Sequence, residues 1–375
     1  MRRAIALTAV VATAALTTAM SSGGQAHAPE PSAPTVSVFT SGLENPRGLT
    51  FGPDGQLYVA EGGLGGTAFS TTPLQCQQVP APVGPYTAGP PTSRISRIDP
   101  VSGARTTVAG GLASSQTQVG VGGFVSGVAD VAFMGSTLYA VTAGAGCSHG
   151  LVGTANALLR VNGDGTTTQI ADLSAFLKSH PVAHPNPGDF EPDGTWYSLT
   201  PVRGVFDAVE PNHGEVDAIT PTGDISRLID ISAVYGHIVP TASTDHGNLY
   251  VCNLNVFDPG ANGHAAVYKI TPSGNITQVA SGLTACTGVA VHNGKIYALE
   301  AFTGFFAPAP PVAHTGTVVR LKGHGTWEPV VTGLSFPTAM TFGPDGNLYI
   351  SNNGFGQPTN TAGEIVRVQL SDDHG

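Results

Sequence analysis

Six polar residues close a repeated apolar motif in this 375-residue chain: Glu61, Thr142, Thr200, Asn253, Glu300 and Asn352. Four of them, Asn253, Glu300, Asn352 and Glu61, carry the oxygen donors that hard cations such as Ca²⁺ take. A cation held there would polarise a carbonyl, the chemistry of a lactonase-type hydrolase or lyase. The same residues have a plainer use as caps of strand ends, with Glu61 paired to Arg47. A second group is Glu210-Pro211-Asn212-His213-Gly214-Glu215, preceded by His180 and His184. Histidines and carboxylates form a Zn²⁺ donor set, yet no helical H-x₃-H pattern or cysteine pair accompanies them. Asn212 and His213 serve equally well as hydrogen-bonding turn residues. Glu61, Asn253, Glu300 and Asn352 are therefore the candidate metal ligands, with Ca²⁺ the candidate ion. Arg47, Glu210, Asn212 and His213 are the candidate binding residues. The chain has no H-E-x-x-H and no P-loop. The glycine-rich stretch Gly62-Gly63-Leu64-Gly65-Gly66 has no following helix to hold phosphate.

These residues sit on a repeat. Asn45-Pro46-Arg47-Gly48-Leu49-Thr50-Phe51-Gly52-Pro53-Asp54-Gly55-Gln56-Leu57-Tyr58-Val59 returns near the other end as Phe336-Pro337-Thr338-Ala339-Met340-Thr341-Phe342-Gly343-Pro344-Asp345-Gly346-Asn347-Leu348-Tyr349-Ile350. Degenerate copies lead to Leu138-Tyr139, Trp196-Tyr197, Leu249-Tyr250 and Ile296-Tyr297, which makes six units. Each reads as four strands. Strand a precedes a tight hairpin in which proline presets one torsion and glycine takes a positive φ. Strand b follows, and an outer pair c and d completes the unit. In the third unit, Gly188-Asp189-Phe190 reads as strand a and Trp196 to Thr200 as strand b. Such units bury their apolar faces only against one another, and the expected fold is an all-β, six-bladed β-propeller with four-stranded blades. The sixth unit lacks strand d, and Thr35 to Leu43 has the pattern to supply it, closing the ring by pairing with the last blade and hiding an open edge. On this reading the b-to-c connections at 62–93, 143–156, 201–214, 254–264, 302–316 and 353–363 gather on one face, where binding loops normally lie. The four candidate metal ligands then fall on consecutive blades near the channel mouth.

Arg2 and Arg3, an apolar run to Met20 and the Ala26-His27-Ala28 site read as a signal peptide over residues 1–28, cleaved after Ala28 or Ala26. Residues 29–375 form a single expected domain, exported and with no second apolar run long enough to span a membrane. Removing Arg2 and Arg3 from 15 basic residues leaves 13 against 25 acidic, a formal charge of −12. That surface repels phosphate backbones, so nucleic acid is excluded as a partner. Fifty glycines and 29 prolines suit short strands and turns, and only Leu173 to Lys178 has a helical pattern. Four cysteines in an oxidising compartment imply two disulfides. By position in the repeat, Cys76 pairs with Cys147 and Cys252 with Cys286.

The Val239-Pro240-Thr241 opening, the Glu210-Pro211-Asn212-His213-Gly214 loop and the Pro-Asp-Gly hairpins together resemble the ScyD/ScyE proteins, exported six-bladed propellers. The likeness runs from about Val36 to Leu370, with the Glu-Pro-Asn-His-Gly loop its most specific element. Asn253 departs from the glutamate common there, and Gly188 follows Pro187 where tyrosine is usual. The resemblance implies fold and export, and brings no reaction or catalytic residue with it. The expected function is a secreted, monomeric binding or scaffold module that presents its loop-rich face to a small molecule, glycan or protein. The metal-dependent hydrolase or lyase is the alternative.

Overall fold

The computed structural model describes residues 33–121, 123–255, 264–302, 312–354 and 361–370. The expected connections at 254–264, 302–316 and 353–363 thus lie partly outside the described residues. Six sheets of four antiparallel strands follow one another along the chain. The first comprises Pro46–Phe51, Leu57–Glu61, Ser93–Ile98 and Arg105–Leu112. The second comprises Val128–Met134, Thr137–Thr142, Ala157–Val161 and Thr167–Asp172. The third comprises Ser198–Val202, Val205–Glu210, Glu215–Ile219 and Ile225–Asp230. The fourth comprises Pro240–Asp245, Leu249–Asn253, Ala265–Ile270 and Ile276–Leu283, and the fifth Cys286–His292, Lys295–Glu300, Gly316–Leu321 and Trp327–Leu334. The sixth takes Ala339–Phe342, Leu348–Asn352 and Gly363–Gln369 from the end of the chain and Thr35–Leu43 from its beginning. The N-terminal strand runs antiparallel to Gly363–Gln369, from Thr35 opposite Gln369 to Leu43 opposite Gly363. A smaller sheet of two-residue strands (Phe69–Ser70, Thr87–Ala88, Ser115–Gln116, Val125–Ser126) is built within the first insertion and the segment that enters the second sheet.

The repeated motif explains both the hairpins and the packing. In Pro53-Asp54-Gly55, the Asp54 carboxylate accepts the Gln56 N–H at 3.1 Å and the Tyr58 hydroxyl at 2.9 Å. Asp345 does the same for Asn347 N–H and Tyr349. Gly55 and Gly346 supply the positive φ, 75° and 77°, that an L side chain resists. The tyrosine tied to its hairpin then packs edge-on against a phenylalanine of the next sheet. Tyr58 meets Phe133 at 4.9 Å, Tyr297 meets Phe342 at 5.2 Å and Tyr349 meets Phe51 at 5.0 Å. In the first and sixth sheets one tyrosine thus closes its own turn and joins two sheets.

Inner strands are joined by a second recurring device. Buried hydroxyls donate across to the backbone of the next sheet: Ser198 to Thr241 O at 3.0 Å, Thr241 to Cys286 O at 2.7 Å, Thr287 to Pro337 O at 2.9 Å and Thr338 to Pro46 O at 2.7 Å. Between the second and third sheets the sense reverses, and the Asp130 carboxylate accepts the Leu199 N–H at 2.8 Å. Asp130 reaches that position only because residue 48 is glycine. A Cβ there would lie 1.8 Å from Asp130 Oδ1.

The third sheet departs from the sequence reading by one strand. Trp196 to Thr200 is not a second strand; Ser198–Val202 is the innermost strand, and Thr200 lies within it. The hairpin is Arg203-Gly204, both at positive φ (49° and 88°), with Val202 paired to Val205. The Pro192-Asp193-Gly194 turn is no hairpin. Asp193 instead accepts the N–H and hydroxyl of Ser148, each at 2.7 Å, and bonds Lys178. Residues 201–214 are consequently no insertion, and only 211–214 connect the second strand to the third. Beside the helix expected around Leu173 (Leu173–Ser179), a single turn forms at Ser232–Tyr235.

Both cysteine pairs form as their place in the repeat predicts, Cys76 with Cys147 and Cys252 with Cys286. They close loops with sequence separations of 71 and 34. Two disulfides point to an oxidising, extracellular type of environment. Among the described residues no helix is long and apolar enough to cross a membrane. The purified protein, denatured without reductant, is expected to take up no alkylating agent. Mass spectrometry finding two or more modified cysteines would disprove the pairing.

Candidate functional site

The inner strands and the connections above them enclose a cavity of about 1340 Å³. Its charged lining residues are Arg47, Asp130, Asp189 and Glu191. The rest is largely apolar or hydroxyl-bearing, including Pro82 and Val83 from the first insertion, Leu254, Phe336 and Thr241. Tyr197 spans it. From the third sheet its hydroxyl donates to Thr338 O at 2.7 Å and lies 3.4 Å from Thr287 O, carbonyls of the sixth and fifth sheets. Burial pushes the phenol well above its ordinary range, so it stays a donor at any physiological pH. Replacing Tyr197 by phenylalanine keeps the ring but removes the proton offered to those carbonyls from across the cavity. We expect a loss of about 1 kcal/mol in chemical denaturation; an unchanged midpoint would show that the bond contributes nothing.

Arg47 lies in this cavity and not against Glu61. Its guanidinium donates to Val125 O, and burial lowers its pKa without removing the charge. Glu61 is fully buried elsewhere, accepting the Glu44 N–H at 2.7 Å and the Ser96 hydroxyl, with Arg105 at 3.3 Å and Arg94 at 3.7 Å. The other strand-end residues behave alike. Glu300 accepts Thr284 N–H at 2.6 Å, and Asn352 accepts Ser335 N–H at 2.8 Å. Asn253 accepts Ala266 N–H at 2.7 Å and donates to Ile238 O at 2.8 Å. Once the third sheet is placed correctly, Glu210 takes the position first read as Thr200, accepting Thr195 N–H at 2.9 Å. Each of these side chains clamps the backbone of its own sheet, usually the residues leading into the inner strand. That accounts for a polar residue at each of these strand ends, since a buried N–H left unpaired is costly. Among the described residues no three His, Cys, Asp or Glu side chains are grouped so as to hold a metal ion. His180 stacks on Phe176 at 4.1 Å, and the backbone N–H of His184 donates to the Ser232 hydroxyl.

That loop instead organises the cavity wall at 189–195. The Glu210 carboxylate accepts His213 N–H at 2.6 Å, and His213 Nε2 bonds Glu191 O at 2.9 Å. Asn212 donates to Asp189 at 3.0 Å and accepts from the Thr195 hydroxyl. His237 completes the rim, with Nε2 2.9 Å from Asp189. Tyr86, also in the cavity lining, donates to Glu191 Oε1, and behind the wall His149 Nε2 stands 3.6 Å from Oε2. His149 Nδ1 contacts the Ser115 hydroxyl at 2.9 Å. Burial raises Glu191 to about 8, helped by the charges of Asp189 and Glu210, and lowers His149 to about 4. Both are therefore neutral at pH 7. Asp130 is pushed to about 7 by burial, against two backbone N–H bonds that favour its charge.

Of the binding residues expected from the sequence, Glu210, Asn212 and His213 meet in one wall and Arg47 lines the cavity. Sequence reading missed Tyr86, Asp130, Asp189, Glu191, Tyr197 and His237. Their one available signal was Asp189-Phe190-Glu191, acidic residues beside a proline-rich segment that the strand assignment had absorbed.

No protein-family model and no curated protein matches this sequence. Solved structures do. A structural-genomics protein of unknown function from Bacteroides thetaiotaomicron shares 12% identity over 90% of this chain and 76% of its own, with a TM-score of 0.55. A candidate oxidoreductase (glucose dehydrogenase) from Thermus thermophilus shares 17% over 90% and 100%, at 0.54. A gluconolactonase from Xanthomonas campestris shares 12% over 90% of both chains, at 0.52. These likenesses establish a β-propeller fold and nothing about chemistry.

Proposed function

We propose that this chain is an exported six-bladed propeller, closed by its N-terminal strand, that binds a small molecule in the cavity under its loop-rich face. The ScyD/ScyE-like pattern supports export and the six-unit reading. The carrying observation is the cavity, a concave space with apolar walls and a few fixed polar groups, the usual form of a ligand site. The first insertion contributes Pro82, Val83 and Tyr86 to its lining. The hydrolase reading requires Glu61, Asn253, Glu300 and Asn352 to converge on one cation, whereas their bonds run to their own sheets.

A thermal-shift screen of small molecules and oligosaccharides tests the proposal. Compounds that bind should raise the melting temperature by mass action, and Val83→Trp, which adds bulk to the cavity lining, should weaken the effect. Ligands whose binding is unchanged by Val83→Trp would place the site away from that part of the lining.

A further inference from the structure

The charged side chains of the cavity lining are each bonded to protein. Arg47 donates to Val125 O, and Asp130 accepts the N–H groups of Leu199 and Val131. Asp189 holds Asn212 and His237, and Glu191 accepts from Tyr86, with His149 Nε2 opposite its second oxygen. Inner-strand hydroxyls are engaged in the same way, Thr241 on Cys286 O and Thr338 on Pro46 O. What remains to meet a ligand is half-buried hydroxyls such as Thr50 and Thr341, and carbon. A ligand group that needs a hydrogen bond must break one of the existing bonds or stay unpaired, and either costs about tenfold in affinity.

The apolar part of the lining carries a second mark. Asn45, Val239, Ala285 and Phe336 occupy equivalent places leading into inner strands, and all four have positive φ, 51°, 55°, 48° and 44°. Asparagine tolerates that conformation, whereas valine and phenylalanine resist it. The two large apolar side chains nevertheless stand at the two of these positions that reach the cavity, in one apolar cluster with Leu254, itself a lining residue. Backbone strain retained in this way is characteristic of ligand-binding positions.

We infer that the cavity takes an uncharged apolar molecule, held among Val239, Leu254, Phe336, Pro82 and Val83; the inference rests on the cavity-binding reading above. Withdrawal of such a molecule from water drives the association, and no bond of the lining has to be remade. Sugars and ionic ligands are disfavoured, because the groups that would meet their hydroxyls or charges already serve the fold.

Two matched fluorescent probes decide the matter: N-phenyl-1-naphthylamine, which is neutral, and 8-anilino-1-naphthalenesulfonate, the same ring system carrying a sulfonate. Fluorescence titration at pH 7 should show the neutral probe binding at least about tenfold tighter, with no displacement by maltotriose. Phe336→Asn gives the backbone the residue used at position 45 and removes the ring, so it should weaken the neutral probe about tenfold while the protein stays folded by circular dichroism. Val83→Trp, which should also weaken it, provides a second reading if Phe336→Asn does not fold. Equal or tighter binding of the sulfonate, or displacement by maltotriose, would overturn the apolar inference; if that binding is weakened by the two variants, the cavity reading stands. Binding of neither probe would also overturn the apolar inference, and the cavity reading would then be decided by the thermal-shift screen. A neutral probe that binds equally well to both variants would place the apolar site elsewhere and overturn the inference together with its support for the cavity.

Discussion

A variant lacking residues 29–42 is expected to lose about 3–5 kcal/mol of stability or to aggregate, the largest effect any single alteration outside the cavity should have. Thr35–Leu43 is the outer strand of the sixth sheet, and its removal bares the full edge of Gly363–Gln369. Unpaired edges of that length template association with other chains. Phe39 is lost with it, a ring 5.4 Å from Tyr349 and beneath the Arg367 guanidinium, and burying such a side chain contributes about 1.5–3 kcal/mol. The strand also reaches the first sheet, where Thr40 donates to Gly103 O at 2.9 Å and Arg105 donates to Gly42 O at 2.7 Å. Without it, the first and last sheets keep only their inner contacts, such as Thr338 to Pro46. Urea denaturation measures the loss directly. A truncated protein with the midpoint of the full chain, still monomeric by light scattering, would show that the strand is decoration.

The fold was readable because its devices are local. Pro-Asp-Gly followed by Leu-Tyr encodes a hairpin, a hydroxyl to close it and an aromatic face for the neighbouring sheet, and all three follow from residues within six positions. The third unit misled for the same reason. Pro192-Asp193-Gly194 has the hairpin composition, but Ser148 and Lys178, remote in sequence, engage Asp193, while the actual turn, Arg203-Gly204, lacks the signature. The site was less legible. Polar strand ends suggested a metal because composition cannot distinguish oxygens that converge on a point from oxygens that each clamp a local N–H. Asp189, Glu191 and His149 lie in connections whose paths are fixed by distant contacts: Tyr86 comes from 105 residues away and His213 from 22. Such proximity has no periodicity to betray it. The Glu-Pro-Asn-His-Gly loop stood out as specific, and its side chains do support the wall through Glu210, Asn212 and His213.

The same wall should make the folded protein lose stability as the pH rises from 6.5 to 8.5. A carboxyl whose pKa is raised by folding holds a proton in the native state that the unfolded chain has already released above about pH 4.3. Folding stability is therefore complete below that value and is lost as pH climbs toward the folded pKa. For Glu191, at about 8, the part of the loss inside the window amounts to about 2 kcal/mol. Asp130, at about 7, adds about 1 kcal/mol, and Asp217, also raised to about 7 by burial, acts in the same direction. His149 has the opposite sign. Its pKa falls on folding, so stability grows with pH between about 4 and its ordinary 6.5, masking the carboxyls at acid pH, and contributes no slope above it. Asp99, Asp164 and Glu328, whose pKa values are lowered by their hydrogen bonds, are ionised in both states throughout the window and add nothing there. Urea denaturation at pH 6.5, 7.5 and 8.5 should thus show a decline of at least about 3 kcal/mol, with Asp217 and Glu215, the latter raised to about 9 by burial, adding to it. Glu191→Gln should remove about 2 kcal/mol of that slope, because a side chain that cannot ionise has no proton to lose. A flat profile in the parent protein would mean that Glu191 is ionised when folded, and an equal slope in the variant would move the origin of the decline to Asp130 and the third-sheet acids.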